Sequence, residues 1–235
     1  SPDDPLLLEI GRLLHSENGV VLKGVLTHAG GSYQCKSMDD IRAMAEAERV
    51  AAVKSAEVLR NHGLPCTTVS VGSTPTATFS TDLTGVTEVR AGVFMFYDLV
   101  MAGLGVCEIE DIAVSVLASV IGQQKHKGWV LIDAGWMALS RDRGTASQTV
   151  DQGYGLVCDP RGKLVTDLLV SSTTQEHGIV TARSERHIDL AKFKVGSMIR
   201  ILPNHACATA AKHDRYYVVD SGTEILHVWQ RINGW

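Results

Sequence analysis

Cys66-Thr67-Thr68-Val69-Ser70-Val71 runs directly into Gly72-Ser73-Thr74-Pro75-Thr76. A β-rich run ending in a Gly, Ser and Thr turn reads as a buried strand feeding a helix, the repeating unit of a parallel α/β fold. Such a turn presents backbone N–H groups and hydroxyls at a strand's end, where an anion can be cradled. The same residues suit an ordinary strand-to-helix turn, and spacing alone leaves both readings open.

Outward from that stretch the pattern repeats. Residues 37–61 read as a long helix, with Ser37 and Asp40 as a capping-box-like start and Gly63 with Pro65 as the stop. Residues 20–28 read as an earlier buried strand. Before them, Asp3 or Asp4 caps a first helix with Pro5 in its opening turn, and Leu6, Leu7, Ile10, Leu13 and Leu14 form its apolar face. Residues 86–98 read as a third strand interrupted by Gly92, which marks either a bulge or a close backbone approach to a ligand.

After about residue 107 the alternation stops. Segments 112–121, 128–133, 164–170, 198–202 and 216–219 are short and β-rich. The fold class is therefore α/β plus β, with a β/α domain over 1–107 and a mainly antiparallel β domain over 108–235. A complete β/α barrel takes about 250 residues and eight strands. Three strands in 1–107 read instead as the C-terminal part of a TIM-type barrel, with apolar edges left exposed. Ser1-Pro2-Asp3-Asp4 lacks an initiator Met, so the start is expected to be processed or truncated.

Composition narrows the function classes. Hydrophobic residues make up 45% and charged residues 20%, which excludes disorder, collagen and a disulfide-rich miniprotein. Lys+Arg 22 against Asp+Glu 26 gives a formal charge of −4 with no like-charge run, so no nucleic-acid or polybasic membrane partner is expected. The longest apolar stretch, 112–121, is half a membrane span, and no secretory signal opens the chain. The five cysteines include no C-x-x-C pair, which points to a reducing compartment and a cytoplasmic location.

Few residues stand out chemically. Tyr33 follows a strand end and could hold a ring or phosphate, or pack at the surface. His28 reads first as a satisfied core histidine, and Glu176-His177-Gly178 as a turn. Pro203-Asn204-His205-Ala206-Cys207 is the sharpest local signal. In an extended segment residues two apart share a side, so His205 and Cys207 can meet one metal ion. Imidazole and thiolate suit zinc, and two ligands leave positions open for water or substrate.

Six stretches in order complete the reading. They are His28-Ala29-Gly30-x-x-Tyr33; Val71-Gly72-Ser73-Thr74-Pro75-Thr76; Glu88-x-x-x-Gly92-x-x-x-Phe96-x-Asp98; Ile132-Asp133-Ala134-Gly135; Glu176-His177-Gly178; and Pro203-Asn204-His205-x-Cys207-x-Thr209. Together they resemble the eukaryotic-type D-serine dehydratases, which belong with the D-threonine aldolases to the pyridoxal-phosphate (PLP) enzymes of alanine-racemase-like fold. The resemblance implies PLP at the mouth of a β/α barrel, with Tyr33, Thr74, Gly92 and the Val93 backbone holding it and zinc on His205 and Cys207. Leu26 departs from it, standing where the dehydratases tend to carry a tyrosine, and Val93 replaces a polar residue common there.

The family's Schiff-base lysine lies on the first barrel strand, and no lysine here takes that place. Lys23 enters its strand at the wrong end, Lys36 and Lys54 belong to the following loop and helix, and Lys125 and Lys127 precede a β-domain strand. A missing N-terminal segment of the same enzyme is the expected partner, so no catalytic residue is assigned within this chain. A homodimer is the family expectation. The implied reaction is β-elimination of D-serine, or a similar small D-3-hydroxy amino acid, to pyruvate and ammonia. A D-threonine aldolase or a 3-hydroxy-D-aspartate dehydratase or aldolase is the alternative, and a non-catalytic metal-binding fragment the second.

Overall fold

In the computed structural model residues 1–184, 188–220 and 222–232 are described, and the chain forms two compact units, 1–94 with 104–106 and 95–103 with 107–235. In the first, α1 (Leu6–Ser16) precedes β1 (Gly24–Leu26), α2 (Met38–Asn61), β2 (Thr68–Val71), α3 (Thr74–Phe79) and β3 (Glu88–Val89). The three strands pair in parallel in the order β1-β2-β3, with Leu26 opposite Ser70 and Val71 opposite Val89. Parallel neighbours need a crossover between them, and α2 supplies the one from β1 to β2. Ser37 caps α2 by accepting the Asp40 N–H at 3.1 Å, as its sequence predicts. The face of α2 carrying Ala52, Ala56 and Leu59 packs on Leu22, Leu64, Cys66, Val69 and Val71.

Helix α1 departs from the sequence reading. Neither Asp3 nor Asp4 is its cap: Pro5 holds the N-cap position with no side-chain cap, and Asp4 accepts the Leu6 N–H at 3.0 Å from one residue further out. In the helix Leu6, Ile10 and Leu13 are about half exposed, while Leu7 and Leu8 pack against the core and Gly11 is buried. Gly11 decides the docking side, because a Cβ there would run into the Leu59 side chain. The strands are also shorter than their apolar runs. Pairing to β2 ends at Val71, where the chain turns, so the run after Val89 has no partner edge. Gly92 consequently lies in a loop rather than interrupting a strand.

The second unit contains α4 (Leu99–Gly103), β4 (Val116–Gln124), β5 (Trp129–Ile132), α5 (Trp136–Leu139), β6 (Gly155–Cys158), β7 (Leu164–Thr173), β8 (Gly178–Ala182), β9 (Met198–Pro203), α6 (Ala206–Ala210), β10 (Arg215–Val219) and β11 (Ile225–Gln230). Six strands close an antiparallel barrel in the order β4-β5-β8-β7-β6-β9, and β9 returns to β4 with Ile201 opposite Val116. Inward residues alternate along β4, where Val116, Ala118 and Val120 are buried while Leu117 and Ile121 face out. They meet Val130, Ile132, Val157, Val170, Val180 and Ile201 in one core. Closure leaves no unpaired edge, which explains how such short strands are stable. β10 and β11 form a separate antiparallel hairpin. No helix among the described residues is long and apolar enough to cross a membrane.

Candidate active-site residues in the two units

Because β1, β2 and β3 run in parallel, the segments that follow them leave one edge of the sheet, the C-terminal edge where ligands of α/β folds bind. Tyr33 lies after β1 in the one-turn segment Gly30–Gln34, half-buried, with its ring centroid 6.0 Å from that of His28. His28 is exposed rather than a core histidine, and its Nδ1 lies 3.1 Å from the Gly72 carbonyl. After β2, Gly72 has φ +133°, and a Cβ there would strike the Arg90 carbonyl, so only glycine permits this crossing. Arg90 ties the edge together by donating from Nε to Ser70 Oγ at 2.8 Å and from its guanidinium to the Thr27 carbonyl.

Thr74 opens α3 and is 2% exposed, and its Oγ1 has no hydrogen-bond partner among the described residues. A buried hydroxyl left unpaired is costly and calls for a ligand. Gly92 and Val93 follow β3. Gly92 is exposed and a Cβ on it would meet nothing within 4 Å, whereas Val93 is buried. The four residues expected to hold the cofactor thus sit on segments leaving one sheet edge. The unpartnered hydroxyl and the open space at Gly92 fit an anionic group.

His205 and Cys207, the pair expected to bind metal, belong to the second unit. The structure corrects their local geometry: β9 ends at Pro203, His205 is the residue before α6, and Cys207 is in the helix's first turn rather than on an extended segment. The helix starts here because Asp98, 1% exposed, accepts the Ala206 N–H at 2.8 Å and the Met101 N–H at 2.9 Å. Asn204 pins the preceding turn, donating to Thr145 Oγ1 and the Gly153 carbonyl at 2.7 Å each. Thr209 Oγ1 donates to the Leu139 carbonyl.

Cys207 is the main influence that pushes the His205 imidazole up to about 9, helped by Asp142 against the opposing effect of burial. His205 Nδ1 lies 2.7 Å from Asp142 Oδ2. A carboxylate on Nδ1 leaves Nε2 as the ligating nitrogen, the arrangement common behind metal-bound histidines. Burial pushes the Asp98 carboxyl above the usual carboxylate range, opposed by the two N–H groups it accepts. Among the described residues no three His, Cys, Asp or Glu side chains are grouped to hold a metal. The donor set is one nitrogen and one sulfur, which fits zinc with open positions.

Asp142, Asp98 and Glu48 support these residues; the sequence reading placed Asp98 in a motif without a role and did not single out Asp142 or Glu48. Asp98 and Asp142 both lie far from the turn they support, and Asp142 carries no local signal. Glu48 does carry one, since it interrupts the apolar stripe Ile41, Ala45, Ala52, Ala56 and Leu59 of α2. Glu176-His177-Gly178 forms the turn between β7 and β8, as read, with the Thr174 N–H donating to the His177 carbonyl at 2.8 Å.

Residues 3–99 match the family described as "Alanine racemase, N-terminal domain", and residues 113–219 match "Putative serine dehydratase domain". The chain belongs to this alanine-racemase-like family, in which a β/α domain is followed by a serine-dehydratase-type β domain. It is 53% identical over 235 residues to the D-threo-3-hydroxyaspartate dehydratase of Delftia sp. strain HT23, covering 99% of this chain and 61% of the relative. The solved structure of that Delftia protein superimposes with a TM-score of 0.94 at 52% identity, over 100% of this chain and 62% of the other. The D-serine dehydratase of Dictyostelium discoideum is 33% identical over 220 residues, 91% of this chain and 54% of the relative. The chain therefore spans about three fifths or less of the length of these relatives.

Proposed function

We propose that the chain supplies the cofactor-phosphate and zinc ligands of a PLP- and zinc-dependent lyase that eliminates water from a small D-3-hydroxy amino acid. D-Serine would give pyruvate and ammonia; D-threo-3-hydroxyaspartate would give oxaloacetate and ammonia. The observation that carries this reading is the buried, unpartnered Thr74 Oγ1 at the sheet edge that also carries Tyr33 and the Gly92–Val93 backbone. PLP supplies an electron sink for the carbanion at Cα, and zinc a Lewis acid for the departing hydroxyl.

The chain's own groups do the positioning. Thr74 Oγ1 and the Gly92 and Val93 N–H groups hold a phosphate by donating to it, and Tyr33 borders the ring. His205 and Cys207 would hold zinc, and Asp142, on His205 Nδ1, would leave Nε2 free to ligate it. The lysine that carries the cofactor and moves the Cα proton is assigned to a residue outside 1–235. The subunit arrangement proposed with it is a homodimer.

Two supports bear on the substrate. The 53% identity to a D-threo-3-hydroxyaspartate dehydratase favours the hydroxy-aspartate within the dehydratase class. The thiolate of Cys207 favours zinc, where a carboxylate would suit Mn²⁺ or Mg²⁺ better. The test is to give the full-length protein, loaded with PLP and zinc, D-serine, D-threo-3-hydroxyaspartate and D-threonine in turn. Keto acid and ammonia released in equal amounts are expected from one or both of the first two. Glycine with an aldehyde would make the protein an aldolase, and no turnover of any of the three would make it a non-catalytic metal-binding protein.

A further inference from the structure

We infer that Glu48 is the positioning residue of the phosphate-binding turn after β2, an inference that rests on the phosphate reading above. Glu48 sits in the middle of α2, 8% exposed, and it belongs to none of the ion pairs found among the described residues. A buried carboxylate without a cation is held only if enough donors reach it. Three do. Oε1 accepts from Thr27 Oγ1 at 2.9 Å and from the Gly72 N–H at 3.0 Å, and Oε2 accepts from Thr76 Oγ1 at 3.1 Å.

One carboxylate therefore ties α2 to the turn after β1, to the turn after β2 and to the first turn of α3. Each of these lies beside a residue assigned to the cofactor or contains one.

A carboxylate, unlike an amide, only accepts. Thr76 must point its proton at Glu48, so the rest of the hydroxyl chain has one direction. Ser73 Oγ donates to Thr76 Oγ1 at 3.0 Å, and Ser32 Oγ donates to Ser73 Oγ at 3.0 Å. The backbone closes the same loop: the Ser73 N–H donates to Thr76 Oγ1 at 3.0 Å and the Thr76 N–H to Ser73 Oγ at 3.3 Å. The Ser32, Ser73 and Thr76 hydroxyls are committed within this network, while Thr74 Oγ1 has no partner among the described residues. Glu48 thus keeps the turn's own protons away from Thr74 and reserves its hydroxyl for the ligand, without touching the ligand itself.

The test compares PLP with pyridoxal, which lacks the phosphate, by titrating each into the apo form of the full-length protein and following absorbance. Wild type, Glu48→Ala, Glu48→Gln and Thr74→Ala are measured, each with a thermal melt. Glu48→Ala removes the acceptor of the Gly72 N–H and of the Thr27 and Thr76 hydroxyls, freeing the Thr76 proton to reorient, and is expected to weaken PLP binding about tenfold. Pyridoxal binding should be unchanged. Glu48→Gln keeps two of the three bonds and reverses the hydroxyl chain, so it should show a smaller loss confined to PLP, and it carries the test if the alanine variant does not fold.

Equal losses for PLP and pyridoxal, or none in either Glu48 variant while Thr74→Ala loses PLP, would overturn the role of Glu48 and leave the phosphate site standing. If Thr74→Ala binds PLP as wild type does, the phosphate site is misplaced and the inference falls with it.

Discussion

Replacing Cys207 by alanine is expected to strip most of the zinc from the full-length protein and to cut elimination from its D-3-hydroxy substrate by about a thousandfold. The size follows from the several kcal/mol that a Lewis acid contributes to a poor leaving group. His205 alone, though still held by Asp142, is a single ligand and cannot retain the ion. PLP absorbance should stay nearly intact, because the residues assigned to the cofactor lie in the first unit. A β-chloro analogue of D-serine carries a leaving group that needs no metal and should lose far less activity. An equal decline for hydroxy and chloro substrates would make the metal structural, and absence of zinc from the wild type would remove His205 and Cys207 from the chemistry.

Gly92→Val should have the largest effect on cofactor retention. A Cβ added here meets nothing within 4 Å beyond its chain neighbours, and Gly92 is exposed, so the melting temperature should hold. That open space is where a phosphate would accept from the Gly92 and Val93 amides. Blocking two charge-assisted hydrogen bonds corresponds to roughly a hundredfold in affinity. Loss of PLP on dialysis from a variant that melts like wild type is the expected pair of results. Retention of PLP at wild-type level would move the phosphate elsewhere.

Local features were readable and long-range ones were not. The Ser37 cap, the body of α2 and the strand running into Gly72 all follow from neighbours in the chain, and the structure has them. β6 is buried at every position, so it offered no alternation to read, and β8 is only five residues long. The exposed face of α1 depends on Leu59 pressing against Gly11, a contact between distant residues. The helical rather than extended setting of Cys207 depends on Asp98, whose carboxylate caps α6 from more than a hundred positions away. Of the site, the residue types and their order were legible. Glu48 and Asp142 were not, and Asp98 was legible only as a motif residue without a role, because each acid is explained by partners distant in sequence.

The seam between β4 and β9 also sets an order of assembly. Strands β1 to β3 and their loops draw on residues 24–89 and can form as soon as that stretch exists, whereas the barrel stays open until Ile201 reaches Val116. Contacts this distant in sequence close slowly, since the loop entropy is spent before the pairing is gained. α6 follows β9 directly, so His205 and Cys207 reach their final spacing only after the last strand has docked. Zinc is therefore expected to arrive late, locking a finished barrel rather than guiding its closure. In refolding followed by pulsed hydrogen exchange, β1 to β3 should gain protection before β4 and β9, at a closing rate that added zinc leaves unchanged. A closing rate that rises with zinc would mean that the metal pair forms first and pulls β9 into place.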